Sequence, residues 1–412
     1  MKRIQRIIQN KNAKTGVFQT SLWSASLVSA LILALVLGLF SAIEQSPVNA
    51  QMKLNNSGKK IAIGFVSIPP NYRSNSDMSF DETARLLIEK LTAHRIPAIG
   101  FVNGGSISPD KDLQERLNRI IESVNNAGNL LIEENPSNPD NIARVKILLE
   151  KSRAQQLEFE KMFSGRANVV RMWRDAGLEV GIGGFRHIWF YDTPYDEYVA
   201  NTEKNERIVR PILAEKNLPL KYFSYPFLNT GKTAQDKIQF ENWLANQNLK
   251  SVKYTFDNSE WMYSFAYDMA RKDNDTNRMK EIRADYLDYM TRMTEHYEAY
   301  SQDMFGRDIA QTLVLTPSRL VTDTADEFFG TLEKRGYKFV SMDEAQSDEA
   351  YQTKEAHVAS KSGISWFERW QTADGKKLRD EPKVSESVER IWENRDKNPP
   401  PPPPAPPRIK SS

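Results

Sequence analysis

The 412-residue chain contains no cysteine. Disulfides, thiol catalysis and thiolate metal sites are therefore excluded. Histidine is scarce as well, with four in the whole chain, so an imidazole-based metal centre has few candidates to draw on. An excess of one charge is also missing: 56 Lys and Arg against 54 Asp and Glu give a formal net charge of +2. That offers no field to hold nucleic acid, and no basic stripe with interleaved aromatics occurs. What is present is 40% hydrophobic and 27% charged residues, the balance of a soluble globular domain with a full core and appendages.

The N-terminus reads as a targeting segment. Lys2, Arg3, Arg6, Lys11 and Lys14 form a basic region without an acid, followed by an apolar stretch from Leu27 to Ile43 and small residues at Val48-Asn49-Ala50. This pattern predicts an export signal over 1–50, cleaved after Ala50. An uncleaved signal anchor is the alternative, because the apolar stretch is just long enough to span a bilayer. Either way the body is expected outside the cytoplasmic membrane: periplasmic, extracellular or membrane-anchored facing outward. Membrane contact would then be confined to the N-terminal segment. At the other end, 399–407 is proline apart from Ala405. Such a run reads as an extended polyproline tail (399–412) suited to binding another protein.

Between these ends, short apolar runs alternate with helical patterns. Strands are expected at 60–66, 96–103, 222–228, 251–256, 312–316 and 339–341, with a further one leading into a glycine-rich bend at 177–191. Ser79-Phe-Asp-Glu82 reads as a capping box opening a helix. A highly charged insertion over 104–165 carries two helical patterns broken near Pro136 and Pro139. Asp196 to Asn217 reads as a helix interrupted or restarted near Pro211. A stripe of Met279, Ile282, Tyr286, Tyr289, Met293, Tyr297 and Tyr300 reads as core. Alternating strands and helices predict a parallel α/β fold, with a barrel favoured over an open sheet. In such barrels the chemistry gathers at the carboxyl ends of the strands. Those ends here are Val66-Ser67, His187, Tyr225-Pro226, Asp257-Asn258 and Thr316.

Taken in order, these ends resemble the polysaccharide deacetylases of the NodB-homology family. The resemblance spans 58–350 and rests on Gly177-Leu-Glu-Val-Gly181, Tyr222-Phe-Ser-Tyr-Pro-Phe-Leu-Asn-Thr-Gly231, Asp257-Asn-Ser-Glu-Trp261, Thr312-Leu-Val-Leu-Thr-Pro-Ser-Arg-Leu320 and Gly336-Tyr-Lys-Phe-Val-Ser-Met-Asp343. It implies a distorted (β/α) barrel over 51–350, followed by a C-terminal extension over 351–398. It further implies metal-assisted removal of acetyl groups from N-acetylated, chitin-like or peptidoglycan-like glycans.

The same resemblance implies that the reacting groups are largely substituted. Val66 and Ser67 stand where the family has a general base and a metal-ligating aspartate. Gly183 replaces one of two histidines, leaving His187 as a remnant ligand. Ser224 stands for an arginine, and Thr316 for the histidine that acts as general acid. Asp257 and Trp261 match the family, and Asp257 is the remaining catalytic candidate. A divalent metal such as zinc needs about three protein ligands, so no cofactor is expected unless the site is active with unusual ligands. The rings Trp189, Tyr191, Tyr225, Phe227 and Trp261, with Asn258, are the candidate glycan contacts. The expectation is a glycan-binding, catalytically impaired deacetylase-like protein. The alternative is an active deacetylase that hydrolyses C–N amide bonds with an altered site.

Overall fold

The computed structural model describes residues 58–69, 80–109, 111–134 and 139–395. The N-terminal signal, Ser79 of the capping box, Pro136 and the proline tail lie outside the described residues. Among those described, no helix is long and apolar enough to cross a membrane.

Seven strands, all parallel, form one sheet: β1 (Lys59–Ile68), β2 (Ile99–Val102), β3 (Glu179–Ile182), β4 (Tyr222–Phe223), β5 (Lys250–Ser251), β6 (Gln311–Leu315) and β7 (Tyr337–Phe339). The spatial order is β5-β4-β3-β2-β1-β6, with β7 paired to the first residues of β1. Strands covered by helices on their faces should be apolar without alternation. Accordingly Ile61–Phe65 and all four residues of β2 are buried. A bridge between Phe256 and Leu313 returns the chain beyond β5 to β6, so the sheet curls back on itself. The architecture is the distorted (β/α) barrel that the sequence led us to expect.

Two strands are shorter than their apolar runs. The expected strand at 222–228 ends at Phe223. Pro226 has no N–H for a ladder, and Phe227 and Leu228 take left-handed backbone angles (φ 58° and 52°) in a 3₁₀ turn, Pro226–Leu228. The run at 251–256 leaves the ladder after Val252 N–H donates to the Phe223 carbonyl, where β4 has ended. Side chains then replace the ladder. Thr255 N–H donates to Thr312 Oγ1 (2.9 Å), and Thr312 N–H to Thr255 Oγ1 (2.8 Å).

The helices follow the sequence pattern closely. They are α1 (Phe80–Ala93), α2 (Lys111–Glu134), α3 (Pro139–Asp175), α4 (Tyr195–Ala214), α5 (Ala234–Asn246), α6 (Glu260–Lys272), α7 (Thr276–Phe305), α8 (Ala325–Lys334), α9 (Trp366–Ala373) and α10 (Glu386–Glu393), with several single turns between. Helix α4 runs through Pro211 without the expected interruption. The proline sits in the last turn, where one missing hydrogen bond leaves the rest of the helix intact. The stripe on α7 is core: Ile282, Tyr286, Tyr289, Met293, Tyr297 and Tyr300 are all buried.

The C-terminal extension packs on the barrel. Trp366, Phe367, Trp370 and Val388 are fully buried in the same core cluster as the strands. Trp366 N–H donates to the Tyr254 carbonyl (2.8 Å). Helix α9 opens with a capping box formed by Ser365 and Glu368.

Candidate functional site

Ser67 sits where the register of β1 on β2 shifts, between Val66 and Ile68, and its φ of 64° marks a bulge at the strand's carboxyl end. Its Oγ accepts from Asn103 Nδ2 (2.9 Å), and the same amide nitrogen lies 3.3 Å from His187 Nδ1. Both N–H groups of the Asn103 amide are thereby engaged, which fits a neutral imidazole accepting at Nδ1. Residue His187 as a whole is open to solvent, but protein atoms crowd its ring, and the loss of water draws its pKa down to about 4. The imidazole is neutral above that pH.

The rings of this half form a short stack. Trp189 lies flat on Phe227 (centroids 4.3 Å, 10° between planes), and His187 meets Phe227 edge-on (4.2 Å, 67°). Trp189 and Phe227 are 43% and 37% exposed, so the stack faces solvent. The extension fixes it in place. Gly363 N–H donates to the Phe227 carbonyl (3.0 Å), and a Cβ on Gly363 would fall 2.3 Å from that oxygen, so only glycine admits the approach. Asn229 Nδ2 donates to the carbonyls of Ser360 and Lys361, Lys361 pairs with Asp192 (2.7 Å), and buried Arg369 donates to the Leu228 carbonyl. Tyr191 is partly buried, its N–H donating to Asn229 Oδ1 (2.8 Å).

On the other side, the β5–β6 ends are knitted together. Asn258 is buried; its Nδ2 donates to the Val314 carbonyl and its Oδ1 accepts from Glu260 N–H. Glu260, also buried, accepts from Thr316 N–H (2.6 Å), Thr316 Oγ1 and Ser264 Oγ (2.9 Å). Burial raises its pKa against the pull of those donors. Asp257 accepts the N–H of Asn258 (2.8 Å), and burial pushes it up to about 7, with Glu381 and Glu368 of the extension adding like charge. Glu381 is open to solvent as a residue, but protein crowds its carboxyl group and, with Glu368 adding like charge, pushes it up to about 7.

The expected residues therefore divide. Ser67, His187, Trp189 and Phe227 come together through Asn103, which the sequence reading passed over. Asn258 and Thr316 meet through Glu260, which it also passed over. Val66 is partly buried against the core cluster that contains Ile99, Phe101 and Tyr254. Two rings lie elsewhere than expected. Tyr225 is buried against Phe223 and Phe240 with its hydroxyl donating to Glu241 (3.0 Å), because the strand turns away before Pro226. Trp261, 41% exposed, leans edge-on against Trp392 of α10 (4.5 Å). The missed residues were signalled: Asn103 ends an apolar run at a strand's carboxyl end, and Glu260 lies inside the quoted Asp257–Trp261 motif.

The donors present do not fit the divalent metal implied by the resemblance. Among the described residues, no three His, Asp or Glu side chains cluster so as to hold an ion. Ser67 is a neutral acceptor already engaged, and one face of His187 is tied to an amide. The space beside Gly183, where the resemblance places a second histidine, is taken: a Cβ there would fall 2.9 Å from Asn103 Oδ1. Ser224, placed where the family has an arginine, is buried and its carbonyl lies 3.6 Å from the same point. We derive no reaction step through a metal.

No protein-family model matches the chain, and no curated protein matches it in sequence. Among solved structures the chain is similar to a CE4-family pseudoenzyme from Bacillus anthracis, at 13% identity over 70% of this chain and 66% of that one (TM-score 0.36). It is similar to a polysaccharide deacetylase from Bacillus cereus, at 14% identity over 69% and 91% (TM-score 0.37). A peptidoglycan deacetylase from Bacillus subtilis gives 14% identity over 71% and 93% (TM-score 0.35).

Proposed function

We propose that this chain is an exported, deacetylase-like protein that holds N-acetylated glycan, chitin-like or peptidoglycan-like, at the barrel mouth without hydrolysing it. One observation carries the reading: the exposed Trp189–Phe227 stack stands beside a neutral hydrogen-bonding group, Ser67–Asn103–His187, where the family's charged metal centre would be. Flat rings cover the apolar faces of sugars, and hydroxyl, amide and imidazole groups suit sugar hydroxyls and acetamido groups. Nothing in that half supplies the base, acid or ligands of hydrolysis. The N-terminal basic and apolar segment supports export, and the proline tail supports a protein partner.

The test is direct. Chitooligomers and peptidoglycan fragments should quench or shift tryptophan fluorescence, with no acetate released. Unchanged fluorescence across both panels refutes glycan binding. Acetate release that chelator and His187→Ala abolish makes the chain a deacetylase.

A second reading, retained hydrolysis with an altered site, draws on Asp257, which matches the family motif at the carboxyl end of the 251–256 run and whose carboxyl group is pushed up to about 7 by burial. Under it, acetate release would persist with chelator and be lost in Asp257→Asn.

A further inference from the structure

Seven of the twelve large apolar side chains exposed among the described residues lie on the hairpin of α2 and α3. The base of α3 belongs to the barrel, with Val169, Val170 and Trp173 buried. Farther out the two helices pack on each other, Gly128 of α2 lying against Val145 and Leu149 of α3.

At 3.6 residues per turn, successive side chains are ~100° apart around the axis. On α2, Leu117, Ile121 and Gly128 make the stripe facing α3. Ile120, Val124, Ala127 and Leu131 make a second stripe, rotated from it by roughly 70°. On α3, Ile142, Val145 and Leu149 face α2, while Leu148, Phe159 and Met162 form a stripe rotated by roughly 100°. Because the helices are antiparallel, both rotations lead to the same side of the hairpin. Four residues of these second stripes are openly exposed: Ile120 (60%), Leu131 (45%), Leu148 (44%) and Met162 (37%). Leu130, Ile147 and Leu157 fall outside this face. Two adjacent apolar stripes on each helix are what a four-helix bundle requires, and the chain supplies two of the four helices.

We propose that the α2–α3 hairpin pairs face to face with the hairpin of a second copy of this chain. Charge selects a copy of itself. Helix α2 carries three basic and five acidic residues, and 139–165 carries five basic and four acidic. A two-fold axis along the hairpin lays α2 of each copy on α3 of the other, so the acidic helix meets the basic one twice. The face runs about 18 residues, or ~27 Å, and is roughly 20 Å wide across two helices. That buries on the order of 1,000 Å² in total, the low end of specific interfaces, and predicts a reversible dimer of micromolar affinity.

The absence of native cysteine gives a clean test on the full chain. Chains carrying Ala127→Cys and chains carrying Leu148→Cys, mixed under mild oxidation, should cross-link to a disulfide heterodimer. Replacing the second by Ala143→Cys, on the opposite side of the hairpin, should not. In sedimentation velocity the unmodified chain should pass from monomer to dimer with concentration. Ile120→Lys with Leu131→Lys should weaken that association at least ~30-fold. A monomer up to about 100 µM, assembly beyond a dimer, association indifferent to the two lysines, or equal cross-linking through position 143 would each overturn the proposal.

Discussion

At the β1–β4 side of the mouth, the polar groups Ser67, Asn103 and His187 are neutral and joined to one another, and the rings Phe227 and Trp189 stand exposed. At the β5–β6 side stand the carboxylates Asp257 and Glu260, the first partly buried with raised pKa and the second buried and saturated by Thr316 and Ser264. The first half offers exposed rings beside neutral polar groups. The second holds acidic groups and uses one of them, Glu260, as a fastener. Neutral groups beside exposed rings suit a binding surface, whereas a carboxylate enclosed by amide and hydroxyl donors serves the packing of the strand ends.

The largest effect expected is on the fastened half. Glu260→Ala leaves the Thr316 and Ser264 donors without a partner in a buried place and should cost about 3 kcal/mol in denaturant unfolding. A loss under about 1 kcal/mol would mean that this half is not held by Glu260.

Rebuilding a metal centre sharpens the contrast on the open half. Ser67→Asp with Gly183→His should bind zinc weakly, because Asn103 Oδ1 occupies the space beside residue 183. Adding Asn103→Gly should tighten zinc binding about 100-fold by calorimetry. Equal affinity in the double and triple variants would show that Asn103 yields without cost.

Asp257 tests burial through pH. Its folded pKa, about 7, exceeds its ordinary value of 3.8. The stability it contributes is therefore complete below about pH 4 and lost as pH rises through 7. Asp257→Asn should match the parent near pH 4 and exceed it by about 1–2 kcal/mol at pH 8, allowing for partial exposure. A difference independent of pH would place the ordinary value on Asp257.

The smallest effects belong to the rings. Trp189→Ala should weaken glycan binding about tenfold, with stability within about 0.5 kcal/mol of the parent. Phe227→Ala should weaken it about threefold, since Phe227 supports Trp189 from behind. The reverse order would make Phe227 the sugar platform.

Much of this was legible in the sequence, and the reasons are physical. Buried parallel strands need unbroken apolar runs, so β1, β2 and β6 announce themselves, and the stripe on α7 fixes its own inner face. The strand ends followed, and with them Ser67, His187 and Thr316. What stayed hidden depends on residues far apart in the chain. Tyr225 looked like a lining ring because nothing local shows that Phe223 and Phe240 enclose it. Trp261 looked like part of the mouth because its partner, Trp392, lies 131 positions later. Asn103 carries no motif, and its meaning comes from sitting between Ser67 and His187.

The hold of the extension on the Phe227 turn has a consequence for biosynthesis. The chain emerges from its amino end, and every strand of the barrel has been made by Phe339. Yet the turn that presents Trp189 and Phe227 is anchored by Gly363 and Arg369, and the segment beyond β5 is tied to Trp366. The ring stack therefore completes only once Arg369 has been made, after the sheet that carries it. A chain stopped at 350 would have the strands of a barrel and no finished mouth.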